Sequence, residues 1–162
     1  MDFLKRNATA LKKKTMQWMY PNENPTDIDK YAFNLLDKAE VDLFIEFMEK
    51  NNVNLNVMDF NKANLLIKAQ GIPSYSNAHT KLLTEEELEE RAIKAVKYLI
   101  KKGIDINFRS KNGSTALLCA CHWGYDRIVK VLLEEGANPN LGSDTQGFQT
   151  NPLLSAGYKG HK

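Results

Sequence analysis

The apolar positions of this chain fall into short runs with helical spacing, separated by polar segments that resemble one another. Phe44, Ile45, Phe47 and Met48 form one run, Val96, Leu99 and Ile100 a second, and Ile128, Val129, Val131, Leu132 and Leu133 a third. Such spacing gathers apolar side chains on one face of an α-helix. Each run is followed by a segment of one kind: Asn52-Val53-Asn54-Leu55-Asn56, Gly103-Ile104-Asp105-Ile106-Asn107 and Gly136-Ala137-Asn138-Pro139-Asn140. Each segment begins where a helix must stop, so Asn52, Gly103 and Gly136 are expected to take the left-handed backbone that closes a helix C-terminus. The last two segments lie 33 residues apart and the first two 51, an excess of 18. Repetition at a period near 33 predicts stacked helical units, each burying its neighbour's apolar face.

After Asn107 the chain reads as an Asn112-Gly113 turn, a hydroxyl cap at Ser114-Thr115, an apolar helix from Ala116 to Cys121 and a break at Trp123-Gly124. The unit is therefore turn, short helix, short loop, longer helix and extended return. The stretch from Asn112-Gly113-Ser114-Thr115-Ala116-Leu117 through Ile128-Val129-Lys130-Val131-Leu132-Leu133 to Gly136-Ala137-Asn138-Pro139-Asn140 resembles the ankyrin repeat at nearly every diagnostic position. It departs from the family pattern at Ala116, where proline is preferred, and at Leu118, where histidine is preferred. Asn64-Leu65-Leu66 stands at the Thr-Pro-Leu place of a second repeat that ends at Lys102, residues 27–58 look like a degenerate first repeat, and Pro152 to His161 look like the opening half of a fourth. Leu153 follows Leu117 by 36 residues, so the turn around Thr145 to Thr150 is expected to be about three residues longer than usual. The resemblance covers residues 27–162 and implies an all-α, ankyrin-type helix-turn-helix solenoid, with helix pairs near 27–51, 62–102 and 115–135.

Two features depart from that pattern. From Ala69 to Gly103 is 34 residues, against 16 from Ala120 to Gly136, so 18 extra residues fall between the helices of the second repeat, within about 70–90. Gly71 to Asn77 has loop composition, while Thr84 with Glu87 three residues on reads as a capping box that restarts helix near Glu85. The segment from Gln70 to Leu83 is expected either to pack along the stack or to stay mobile. The run Glu85, Glu86, Glu87, Glu89 and Glu90 matches the positive end of that helix; an acidic docking patch is the alternative. The second departure is the ending: a repeat would follow Gly160-His161 with another helix, which reads as a fragment of a longer protein or, alternatively, as a capping half-repeat.

Residues 1–25 form a separate unit before the repeat domain of 26–162. Phe3, Leu4, Ala8, Leu11, Trp18 and Met19 can line one side of an N-terminal amphipathic helix, with Lys5, Arg6, Lys12, Lys13 and Lys14 mainly elsewhere, before Pro21 and Pro25 break the chain. Three readings compete for this helix: a cover for the open end of the first repeat, peripheral membrane contact through residues 1–20, or nucleic-acid contact.

Composition narrows the field. The 162 residues carry a net charge of only +2, which makes nucleic acid an unfavoured partner for the molecule as a whole. The first residues lack the apolar run of a secretory signal, so a cytoplasmic location is expected. Cys119 and Cys121, two apart on a helix, point about 200° away from each other and read as reduced packing residues. His79, His122 and His161 are isolated from other ligand types, and no phosphate loop or nucleophile-base pair is legible, so no cofactor, metal or catalysis is expected.

The resemblance implies that another protein binds the concave face made by the turn tips and the exposed side of each first helix. On this sequence those positions are Lys111, Asn112, Ser114, His122 and Trp123, with Tyr158 and Lys159 in the last half-repeat and Phe60 and Asn61 in the second. Trp123 leads the set because large aromatics dominate interface energetics; plain packing against the insertion or a neighbouring helix is the competing reading. The expected function is a protein-protein interaction module without catalysis of its own. The alternatives are a targeting or substrate-recognition fragment of a larger enzyme or bacterial-type effector, and a membrane-surface adaptor working through the N-terminal basic helix.

Overall fold

Among the described residues, the first helix of each repeat opens on a polar side chain that accepts a hydrogen bond from the backbone three residues on. Thr26 accepts from Asp29 N at 3.3 Å, Asn64 from Ile67 N at 3.0 Å, Thr115 from Leu118 N at 3.1 Å and Asn151 from Leu154 N at 2.9 Å. A cap of this kind satisfies a donor that a helix start leaves without a partner. In the computed structural model, which describes residues 26–59, 61–74, 80–145 and 148–158, these caps open α1 (Asp27–Asp37), α3 (Leu65–Gln70), α5 (Ala116–Trp123) and α7 (Pro152–Tyr158). The intervening second helices are α2 (Val41–Lys50), α4 (Glu85–Lys101) and α6 (Asp126–Glu134). The N-terminal amphipathic helix expected within residues 1–25 lies outside the described residues.

The first helices stack on one another in the order α1, α3, α5, α7, and the second helices in the order α2, α4, α6, giving a two-layer all-α solenoid. Its core runs unbroken between the layers: Phe33, Leu36 and Phe44 in the first repeat, Leu65, Leu66 and Leu99 in the second, Leu117, Ile128 and Leu132 in the third are all buried. No second helix packs on α7 among the described residues. Leu153 is accordingly 80% exposed, while Leu117, its counterpart one repeat earlier, is 1% exposed.

In the first and third repeats the turn between helices is short and left-handed. Gly124 has φ +75, and Tyr125 N reaches back to Ala120 O at 3.1 Å; in the first repeat Ala39 at φ +56 and Glu40 N to Leu35 O at 2.9 Å repeat the geometry. Ala39 is a less comfortable occupant of that region than glycine. At the far end of the second helices, Gly103 and Gly136 take φ +86 and +92 as expected. Asn52 does not take the same role. There α2 is closed by Asn51 in an extended backbone, whose side-chain amide donates to Phe47 O at 2.8 Å while its backbone N–H donates to the same carbonyl at 3.0 Å. A side chain that satisfies the helix end removes the need for a left-handed residue.

The three similar segments share one more device. In each, the side chain of the third residue accepts from the backbone of the fifth: Asn54 from Asn56, Asp105 from Asn107 and Asn138 from Asn140, all at 2.9 Å. These are Asx turns, in which the side chain stands in for a backbone carbonyl. Successive return segments are then tied together, Asn107 Oδ1 accepting from Asn138 N at 2.8 Å.

The insertion divides into two parts. Ile72, in a 3-10 turn spanning Ile72–Ser74, is fully buried, and Leu83 packs against the core; Leu82 is 92% exposed. Part of the loop is therefore core and not decoration. Helix restarts at Glu85 under the expected capping box of Thr84 and Glu87. The lengthened turn before the last half-repeat is drawn out into a two-stranded ribbon, β1 (Ser143–Thr145) against β2 (Phe148–Thr150), antiparallel with Ser143 opposite Thr150. Gly142 leads into it, and a Cβ there would sit 2.4 Å from Thr150 O, so only glycine allows this approach.

Two stability measurements follow from the fold. A Cβ at Gly136 would meet nothing within 4 Å, so the φ of +92 is the whole obstacle; Gly136→Val is expected to lower stability by about 1–2 kcal/mol in urea denaturation. Ile72→Ala should cost about 2–5 kcal/mol in the same assay, while Leu82→Ala stays within about 0.5 kcal/mol of the parent. Equal effects of the last two would contradict the division of the insertion into core and surface parts.

Candidate protein-binding face

The turn tips, or fingers, are built from side chains that fold the backbone onto itself. In the third repeat Ser110 Oγ accepts from Ser114 N at 3.2 Å, and Gly113 N donates to Ser110 O at 2.8 Å. In the second repeat Asp59 does the same work: its buried carboxylate accepts from Asn61 N at 2.8 Å and Ala63 N at 3.0 Å, and Lys62 takes the left-handed place of Gly113 at φ +54. The two fingers are joined by Lys111 N donating to Asn61 O at 3.1 Å. Arg109 reaches forward to the next finger, Nη2 donating to Gly142 O at 2.7 Å. These bonds hold three consecutive fingers as one ridge.

Trp123, at the C-terminal end of α5, is 53% exposed, which removes the reading that it is plain packing. Its ring meets the His122 imidazole edge-on, with centroids 5.3 Å apart and planes at 89°. His122 Nδ1 in turn lies 3.3 Å from Ser155 Oγ on α7, so the pair is braced against the next repeat. Lys111, Asn112 and Asn61 are exposed and Ser114 is half-buried. Of the other expected positions, Phe60 and Lys159 lie outside the described residues, and Tyr158 is placed only as the last residue of α7.

A cleft of about 400 Å³, which the sequence did not suggest, opens between the Arg109 finger and the ribbon. Arg109, Asn140, Gly142, Thr150, Asn151 and Leu154 line it, and Leu154 is exposed there. These residues come from four separate elements and share no local motif. Only the register of the last half-repeat brings them together.

Burial pushes the Cys119 thiol up to about 11, and Cys121 is raised by burial and then by the nearby Asp126 carboxylate, so neither is a ready nucleophile. Among the described residues no group of three or more His, Cys, Asp or Glu side chains is placed to hold a metal ion. No helix among them is long and apolar enough to cross a membrane.

Helix pairs stacked in two layers, with fingers projecting from one edge, define the class of helical repeat scaffolds that work by holding other proteins. The chain belongs to the ankyrin repeat family, whose three-copy pattern matches residues 35–143 and 85–162. It is 44% identical over 57 residues to the palmitoyltransferase AKR1 of Lachancea kluyveri, a match covering 35% of this chain and 8% of that protein. It is 35% identical over 68 residues to the ankyrin repeat and KH domain-containing protein mask-1 of Caenorhabditis elegans, covering 42% of this chain and 2% of that protein. A putative ankyrin repeat protein, R664 of Acanthamoeba polyphaga mimivirus, is 46% identical over 46 residues, 28% of either chain. The chain thus spans a small part of the length of the relatives it matches. Ankyrin repeats are in general non-catalytic interaction modules, and the match to proteins with enzymatic names is confined to the repeats.

The thiols offer a direct check on this packing. With Cys119 raised to about 11, only about one thiol in a thousand is ionised at pH 8. Iodoacetamide at that pH should leave Cys119 unmodified in the folded protein and alkylate it in urea, as read by mass spectrometry.

Proposed function

We propose that the protein is an interaction module that holds a partner protein against the concave face around Trp123, with no catalytic step of its own. The observation that supports this reading most is the exposed indole. Leu117, Leu118, Ala120 and Cys121 on the same helix are buried and already account for its packing, so Trp123 has no comparable task in the core. An aromatic held at fixed geometry beside an adaptable polar group such as His122 is the composition of interface hot spots. Two free thiols, both raised by burial, suit a reducing compartment such as the cytoplasm.

A second reading places the same face in a longer protein as its recognition part. It is supported by the relatives, of which the matched segment makes up 8% or less in the palmitoyltransferase and mask-1. Both readings share the site and differ in what the captured partner is brought to.

Trp123→Ala tests the site. Partner captured from a lysate of the native host should bind the variant about 30-fold more weakly, equivalent to about 2 kcal/mol, while the thermal midpoint stays close to that of the parent. A stable variant that binds as the parent does would move the site to another face of the stack.

A further inference from the structure

Acidic side chains are distributed unevenly between the two layers. Residues 106–125, which make a finger and α5, contain no Asp or Glu, and residues 136–162 contain one, Asp144. The second-helix layer carries both signs: α4 has Glu85, Glu86, Glu87, Glu89 and Glu90 with Arg91, Lys94, Lys97 and Lys101, and α6 has Asp126 and Glu134 with Arg127 and Lys130. Three acids of the earlier fingers and first helices are engaged within the fold, while Asp27 at the start of α1 is exposed. Asp59 is buried beneath its finger, Asp29 is buried and accepts from Thr26 and Asn54, and Asp37 pairs with Lys68 at 2.8 Å. What the fingers present outward is cationic: Lys62, Arg109 and Lys111 are exposed.

Resting on the concave-face reading, we propose that the partner is recognised through an acidic segment, its carboxylates taken by Lys111 and by Arg109 at the mouth of the mainly polar cleft, and its apolar side chains by the exposed Leu154 and Trp123. Arg109 is suited to this because its bond to Gly142 O holds the guanidinium at the mouth of the cleft and uses one of the five donors of that group. The His122–Ser155 contact ties the neighbour of the indole to α7, the helix whose first turn walls the cleft. A nucleic acid fits less well. Polyanion binding rests on about six to ten phosphate contacts, whereas the three exposed finger cations are interleaved with asparagines and accompanied by the exposed Leu154 and Trp123.

The experiment is a selection of random short peptides displayed on phage against the whole chain, sequenced before and after. Peptides enriched on the parent should be rich in Asp and Glu with an aromatic or aliphatic residue among them. Their affinities, read by fluorescence anisotropy, should fall at least ~tenfold in the Arg109→Glu/Lys111→Glu variant and weaken with added salt. Lys111→Glu alone leaves the Arg109–Gly142 contact in place and should still weaken binding severalfold, separating charge from finger structure. If enriched peptides are basic or show no charge bias, or if charge reversal leaves them bound while Trp123→Ala releases them, the acidic inference falls and the concave-face reading stands. If Trp123→Ala leaves them bound, or nothing is enriched, both fall. A fluorescent single-stranded oligonucleotide that binds more tightly than every selected peptide would also overturn the proposal.

Discussion

The way the chain leaves one long helix and reaches the start of the next repeat governs the rest of this structure. In a handful of residues it must reverse, run back along the stack and leave no buried backbone group without a partner. Gly103 and Gly136 supply the left-handed step, and the Asx turns of Asn54, Asp105 and Asn138 supply the bend that follows. Asn107 then accepts from the backbone of the next return segment, so the position of one reversal helps to set the position of the next. Layers, fingers and concave face are consequences of repeating this step at one pitch.

Much of that was legible because it is local. The capping box at Thr84 and Glu87 and the glycine helix ends depend on residues a few positions apart, and spacing alone reveals them. Asn52 misled because its neighbour Asn51 could close the helix through its own amide, a competition that two adjacent asparagines do not resolve in sequence. The left-handed Ala39 and Lys62 were hidden for the opposite reason: neither residue type signals such a backbone, and the surrounding hydrogen bonds hold it there. Ile72 sits in a segment of loop composition, and its burial depends on tertiary packing against a helix that begins 13 residues later. The exposed site positions Trp123, Lys111 and Asn112 were readable from register, whereas the cleft at Arg109 was not, since its walls come from distant parts of the chain.

Stability and recognition are carried by different surfaces of the same helices. On α5 the buried residues bind the two layers together, and Trp123 at its exposed end meets the His122 ring edge-on. A scaffold of this kind can change its fingers with little effect on folding, because the return segments and the core set the pitch. The insertion follows the same logic. It enters where the chain passes between two helices, contributes Ile72 to the interior and leaves the neighbouring repeats in contact with α3 and α4.

The polar contacts that the first and third repeats make with the middle of the stack converge on the second one. Asp37 of α1 pairs with Lys68 of α3, Glu49 of α2 meets Lys102 at 2.9 Å and Tyr98 at 2.8 Å, Arg91 donates to Ala39 O at 2.8 Å, and Arg127 of α6 reaches Glu89 at 3.3 Å. Exposed pairs such as these add little to stability one by one. Their arrangement matters for a different reason: in an array of equivalent repeats any two could dock, and a folding chain could join the first directly to the third. Here that shortcut would leave Lys68, Lys102 and Glu89 without their counterparts and the 17-residue α4 uncovered on both sides. The longest helix thus works as an address label, making the order of assembly a property of the middle unit.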